Sequence, residues 1–163
     1  MKDSNMFVSF LIGDLEYFIV SNRNEINTYI QKNESIPYEK SLAILNKFAE
    51  TLYKTSELIN YIEEIKDKNL LRDMFIISSE SLAWILFTLP SLNEKLPIFP
   101  EELNINGRSI YDAIGNNLLQ IETLIDNPDI TPFVAKNLKE NIQDISMAIG
   151  HIVKMMDKSK ERN

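Results

Sequence analysis

Cysteine is absent from the 163 residues, histidine occurs once, and there are four glycines. Without cysteine, disulfide scaffolds, thiol chemistry, zinc knuckles and iron–sulfur sites are excluded. A single histidine excludes multi-histidine metal sites. The glycines, at 13, 107, 115 and 150, are too scattered for a dinucleotide fingerprint or a P-loop. No Gly-x-Ser-x-Gly elbow is present. A basic footprint is missing too: 17 basic against 24 acidic residues give a net charge of −7. Nucleic acid and anionic membranes are therefore not expected as partners, whereas a protein with a basic surface is.

The N-terminus has one Lys beside an Asp before the apolar run Met6–Ile12. Asp14 and Glu16 stand where a signal-peptide cleavage site would need small residues. The longest apolar-rich stretch, Met74–Leu89, is interrupted by Ser78, Ser79, Glu80 and Ser81 and reads as too short to span a bilayer. A cytoplasmic protein is expected, folding as one domain over residues 1–163.

What is present is helical periodicity. From about Asn5 to Asn33, the residues Val8, Ile12, Leu15, Ile19, Asn22, Ile26 and Tyr29 recur at alternating intervals of four and three, a heptad seam. Asn22 is its polar member, the kind of residue that fixes register. A break at Ser35-Ile36-Pro37 precedes a second helix running to about Asp67, with Leu42, Leu45, Ala49, Leu52, Ser56, Ile59 and Ile62 as its seam. A third helix is predicted over Leu70–Leu89, stopped by Pro90. Ser109 reads as the N-cap of a fourth helix over Ile110–Asp126, with Asp112 at the capping-box position. Thr131-Pro132 starts a fifth that reaches about Asp157 along Ala135, Leu138, Ile142, Ile145, Ile149, Ile152 and Met156. The predicted fold is all-α, an elongated antiparallel bundle of about five helices with one long irregular loop over about 90–108. A faint internal echo, Ile110-x-x-Ala113-Ile114-Gly115 against Ile145-x-x-Ala148-Ile149-Gly150, suggests small residues letting the last two helices approach closely.

The first helix carries more apolar residues than a bundle position needs. Eleven of the fifteen residues from Met6 to Val20 are apolar or aromatic, against about three in seven for a core-facing stripe. Phe10 and Tyr17 lie seven apart and opposite the seam. Either this helix or the similarly rich third helix is buried at the centre, or the outer face of the first is an interface to a second copy or another protein. The loop Leu96-Pro97-Ile98-Phe99-Pro100-Glu101-Glu102 is the second candidate contact: Ile98 and Phe99 are held between prolines, with Glu101 and Glu102 behind. The same Ile-Phe pair would serve equally as a plug over the end of the core.

Two patterns resemble known helical families. His151-x-x-Lys154 resembles histidine phosphotransfer domains, bundles with one exposed His and a Lys three residues later. That resemblance covers two residues and implies His151 as a phospho-acceptor. Met155 stands where that family has a small residue, and its bulk would obstruct docking of a receiver. Glu63-Glu64-x-x-Asp67 followed by Glu80 resembles the acids with which all-α nucleoside-triphosphate pyrophosphohydrolases hold Mg²⁺. It covers residues 63–89 and implies an Mg²⁺-dependent nucleotide hydrolase, but Trp84 occupies the place of that family's further Asp. The leading expectation is a non-enzymatic interaction module of immunity, inhibitor or adaptor type, a homodimer, with no cofactor, no resident metal and no catalytic residue.

Overall fold

A computed structural model describes residues 2–95, 104–105 and 107–162, with side-chain surroundings for 4–95 and 107–158. Five helices carry it: α1 (Lys2–Lys32), α2 (Tyr38–Ile59), α3 (Lys68–Lys95), α4 (Ile110–Asp126) and α5 (Pro132–Arg162). At 1.5 Å per residue the longest are roughly 46 Å rods. The all-α, elongated, antiparallel bundle read from periodicity is the observed fold.

Side-chain pairs give the directions. Asp14 meets Lys54, and Phe7 stacks edge-on against Tyr61, so α1 and α2 are antiparallel. Arg72 Nε donates to the Ile125 carbonyl across α3 and α4. Tyr38 at the start of α2 donates to the Met156 carbonyl near the end of α5, while Glu63, just past α2, pairs with Lys139 near the start of α5. Asn27 with Trp84, and Asn33 with Lys95, show α1 and α3 running parallel. Helices α2, α3, α4 and α5 each pack on their neighbours, and α5 returns to α2, closing a four-helix ring. Helix α1 lies outside that ring, in the groove between α2 and α3.

The seams pack as their spacing requires. Val8, Leu15, Ile19 and Ile26 of α1 are buried, as are Leu42, Leu45, Leu52 and Ile59 of α2 and Leu138, Ile142, Ile145 and Ile149 of α5; within the α2 seam, Phe48 and Thr55 are buried in place of the expected Ala49 and Ser56. In the last turns of α1, Ile30 rather than Tyr29 is fully inside. A straight helix drifts about 20° per heptad against a 3.5-residue repeat, so by the fourth heptad the next residue has taken over the inward position. Helix α3, touched by α1, α2 and α4, exposes only a narrow stripe through Asp73, Ile76, Glu80 and Phe87.

Several expectations are corrected. Helix α2 ends at Ile59, not near Asp67: Tyr61, Ile62 and Glu64 close tight turns onto the carbonyls three residues back. Ile62 and Ile65 still plug the core from this turn. Pro90 does not stop α3, which continues to Lys95. The missing N–H is tolerated because Leu89 and Leu92 on either side are fully buried, and Lys95 holds the Asn33 carbonyl. At 28 residues α3 is therefore long and apolar enough to cross a membrane by length and composition, contrary to the sequence reading, but it packs against α1, α2 and α4, its most apolar window 56 % buried. Within the predicted irregular loop, Asn104–Ile105 and Arg108–Ser109 form a small antiparallel hairpin that turns through Gly107 at φ 83°. Gly115 faces Leu86 of α3 rather than α5, and a Cβ on Gly150 would meet open space, so neither supplies the close approach suggested by the echo. Asn22 bonds the Phe18 carbonyl of its own helix and not a neighbour. The helix starts are as predicted: Ser109 Oγ accepts from Asp112 N–H (3.1 Å), and Thr131 Oγ1 from Val134 N–H (3.2 Å).

Candidate interaction surface

Because α1 docks on the ring by one face, its other face is left to solvent. Met6, Phe10, Tyr17 and Val20 are 73, 67, 76 and 57 % exposed. Together with Gly13 they sit at 6, 10, 13, 17 and 20, a second alternation of four and three on the side opposite Val8, Leu15 and Ile19. The sequence reading named Phe10 and Tyr17 for this face. It missed Met6 and Val20, although the same spacing marks them. Isolated exposed apolar residues are ordinary on a protein surface; here four large ones share one face of one helix.

The flank of the row is tied down. Lys54 Nζ lies 2.7 Å from Asp14 Oδ2 and 5.4 Å from the centre of the Phe18 ring, and Lys47 covers the same ring at 5.2 Å. Phe18 is thus capped by two α2 lysines, and the Asp14 charge is met within the chain. On the other side, Trp84 Nε1 and Thr88 Oγ1 of α3 both donate to Asn27 Oδ1 of α1, at 3.0 and 3.2 Å. These bonds hold α1 in its groove with the outer row facing away.

The other candidates lie elsewhere. Ile98, Phe99, Glu101 and Glu102 fall outside the described residues. Glu63 is exposed and paired with Lys139 at 2.7 Å; Glu64 is exposed in the same turn. Asp67 Oδ1 accepts from the N–H groups of Asn69 (2.9 Å) and Leu70 (3.1 Å), the geometry of an N-cap on α3. Glu80 is exposed on the outer stripe of α3. Among the described residues no three His, Asp or Glu side chains converge as a cation would need. His151, Lys154 and Met155 are all exposed on α5, away from the α1 row in the chain and in the fold.

A shallow polar cleft of about 290 Å³ lies where Arg108 of the hairpin meets α4 and α5. Asn116, Asn137, Asn141 and Asp144 line it, and Asn141 Nδ2 donates to Asn137 Oδ1 at 3.1 Å. Amide groups at helical spacing carry no periodic signal against a polar surface, so the sequence does not single this cleft out.

A relative from Aquifex aeolicus (strain VF5), described as "Uncharacterized protein", is 21 % identical over 162 residues, which cover 95 % of this chain and 96 % of the relative. No solved structure matches. A family model, also described as "Uncharacterized protein", matches residues 7–163, and the chain belongs to that family.

Proposed function

We propose that this protein is a non-enzymatic interaction module, acting in the cytoplasm, that docks through the outer face of α1. The exposed row of Met6, Phe10, Tyr17 and Val20 carries this reading. Large apolar side chains in a line on a rigid helix offer the anchors that protein interfaces use at their centres. An immunity, inhibitor or adaptor role fits a surface of this kind, and the net charge of −7 fits a basic partner. The loop 97–102 is a second proposed contact.

The test is photo-cross-linking in cells, with a photoreactive amino acid in place of Tyr17 and, as control, in place of Glu122 on the exposed side of α4. A discrete adduct formed from position 17 and not from 122 is expected. Absence of any adduct from position 17, whether to another protein or to this chain itself, overturns the reading.

A further inference from the structure

We infer that the occupant of the α1 row is a second copy of this chain, packed antiparallel with its own α1 across a two-fold axis at Gly13. The inference rests on the interaction reading above and names the partner of that surface.

The row is self-complementary about Gly13. Phe10 lies three residues before it and Tyr17 four after; Met6 and Val20 lie seven before and seven after. Reversing one copy about Gly13 therefore sets Met6 level with the second copy's Val20 and brings Phe10 within one residue, about 1.5 Å along the helix axis, of the second copy's Tyr17. The centre has the space such a crossing needs, because a Cβ built on Gly13 meets nothing within 4 Å. Two glycines at the crossing let the helices approach closely while the aromatic rings close over both sides. The alternation of four and three is the spacing that keeps one seam facing another helix.

Area agrees with a dimer of modest strength. The exposed parts of Met6, Phe10, Tyr17 and Val20 amount to about 500 Å² per copy, hence about 1,000 Å² for the pair, the size a specific interface has to reach. Charge does not oppose the register. Asp14 is held by Lys54 of its own chain, and the reversed pairing sets Glu16 across from the second copy's Phe10 rather than its Glu16. Antiparallel helices also oppose their dipoles.

The purified chain tests this. Light scattering from about 1 to about 300 μM should show the mass rising from 18.9 kDa toward twice that value. The Phe10→Ser/Tyr17→Ser double variant should remain monomeric throughout, with its thermal melt at low protein concentration unchanged because both side chains face water there. With no native cysteine, a single introduced thiol reports position without background. Gly13→Cys should form a covalent dimer on oxidation, and Glu122→Cys should not. Met6→Cys mixed with Val20→Cys should give the mixed disulfide in preference to either self-disulfide; the reverse preference overturns the antiparallel pairing. A mass fixed at 18.9 kDa at about 300 μM, or no disulfide through Gly13→Cys, overturns self-pairing. If position 17 then still cross-links to another protein in cells, only the identity of the partner falls; if it does not, the interaction reading falls with it.

Discussion

Asn27 sits one position past the buried Ile26, and its Oδ1 receives two donors from α3. Trp84 is 5 % exposed, so its indole N–H has no recourse to water once that acceptor goes. Asn27→Ala is expected to cost about 1–3 kcal/mol in urea unfolding, and Asn27→Asp, which keeps an acceptor, less. Tyr111 on α4 is a second site where burial governs chemistry. Desolvation holds its phenol above the ordinary value of 10.0, with a smaller opposing effect from a hydrogen bond to Asn93. A pKa raised by folding means that the native state keeps the proton longer than the unfolded chain. That contribution is fully present below pH 10, and it is lost as the pH rises through the folded-state value. The fall in stability on titrating from neutral to strongly alkaline pH should be smaller in Tyr111→Phe than in the native protein. Neither residue was legible beforehand. Asn22, on the seam, attracted the register role because the spacing passes through it, whereas Asn27 works across 57 positions of sequence, a separation that leaves no periodic trace.

At the scale of the element, α1 has two apolar faces with opposite fates. Leu15 is wholly buried and Tyr17, two residues on, is three-quarters exposed. Leu15→Ala is expected to cost about 2–5 kcal/mol, while Tyr17→Ala should change monomer stability by less than about 0.5 kcal/mol. Urea unfolding of the two variants at low protein concentration checks the contrast. The seams and the starts of α4 and α5 were readable because burial repeats along a helix and because Ser109 and Thr131-Pro132 act on their own first turns. The ends of α2 and α3 were not. A proline stops a helix only when nothing beyond it is worth burying, and Leu92 lies beyond Pro90. Conversely Ile62 continues the α2 spacing, yet it is buried just as well from a turn. The hairpin around Gly107 has a local sign in Asn106-Gly107, the dipeptide preferred in two-residue hairpin loops. Its flanking pairs are only two residues long, too few to show alternation.

For the whole molecule, the question left open by composition was which of two apolar-rich helices goes inside. Both α1 and α3 have the surplus, and a linear pattern does not say which neighbours each will find. Contacts decide it: α3 shares in closing the ring and α1 lies against its outside. The apolar surplus of α3 is mostly covered, and that of α1 is left over. The candidate surface was legible to the extent of Phe10 and Tyr17, but its exposure depended on this tertiary choice. Net charge acts at the same scale. Two copies at −7 each repel, so self-association through an uncharged row should strengthen as salt screens that repulsion. Raising the ionic strength from about 10 to about 150 mM, where the screening length falls from roughly 30 to 8 Å, should increase the dimer fraction in light scattering. A dimer fraction that falls with salt would point to a charged contact instead.

The position of α1 outside the ring also has a consequence during synthesis. It precedes in the chain both helices that form its seat, so it leaves the ribosome with neither face covered. Its inner residues stay bare until α2 and α3 follow, an interval on the order of 3–12 s for some sixty residues at cellular elongation rates. Over that interval a nascent chain on a crowded polysome carries two sticky stripes on one rod, and chaperone engagement should be greatest just before residue 95 emerges.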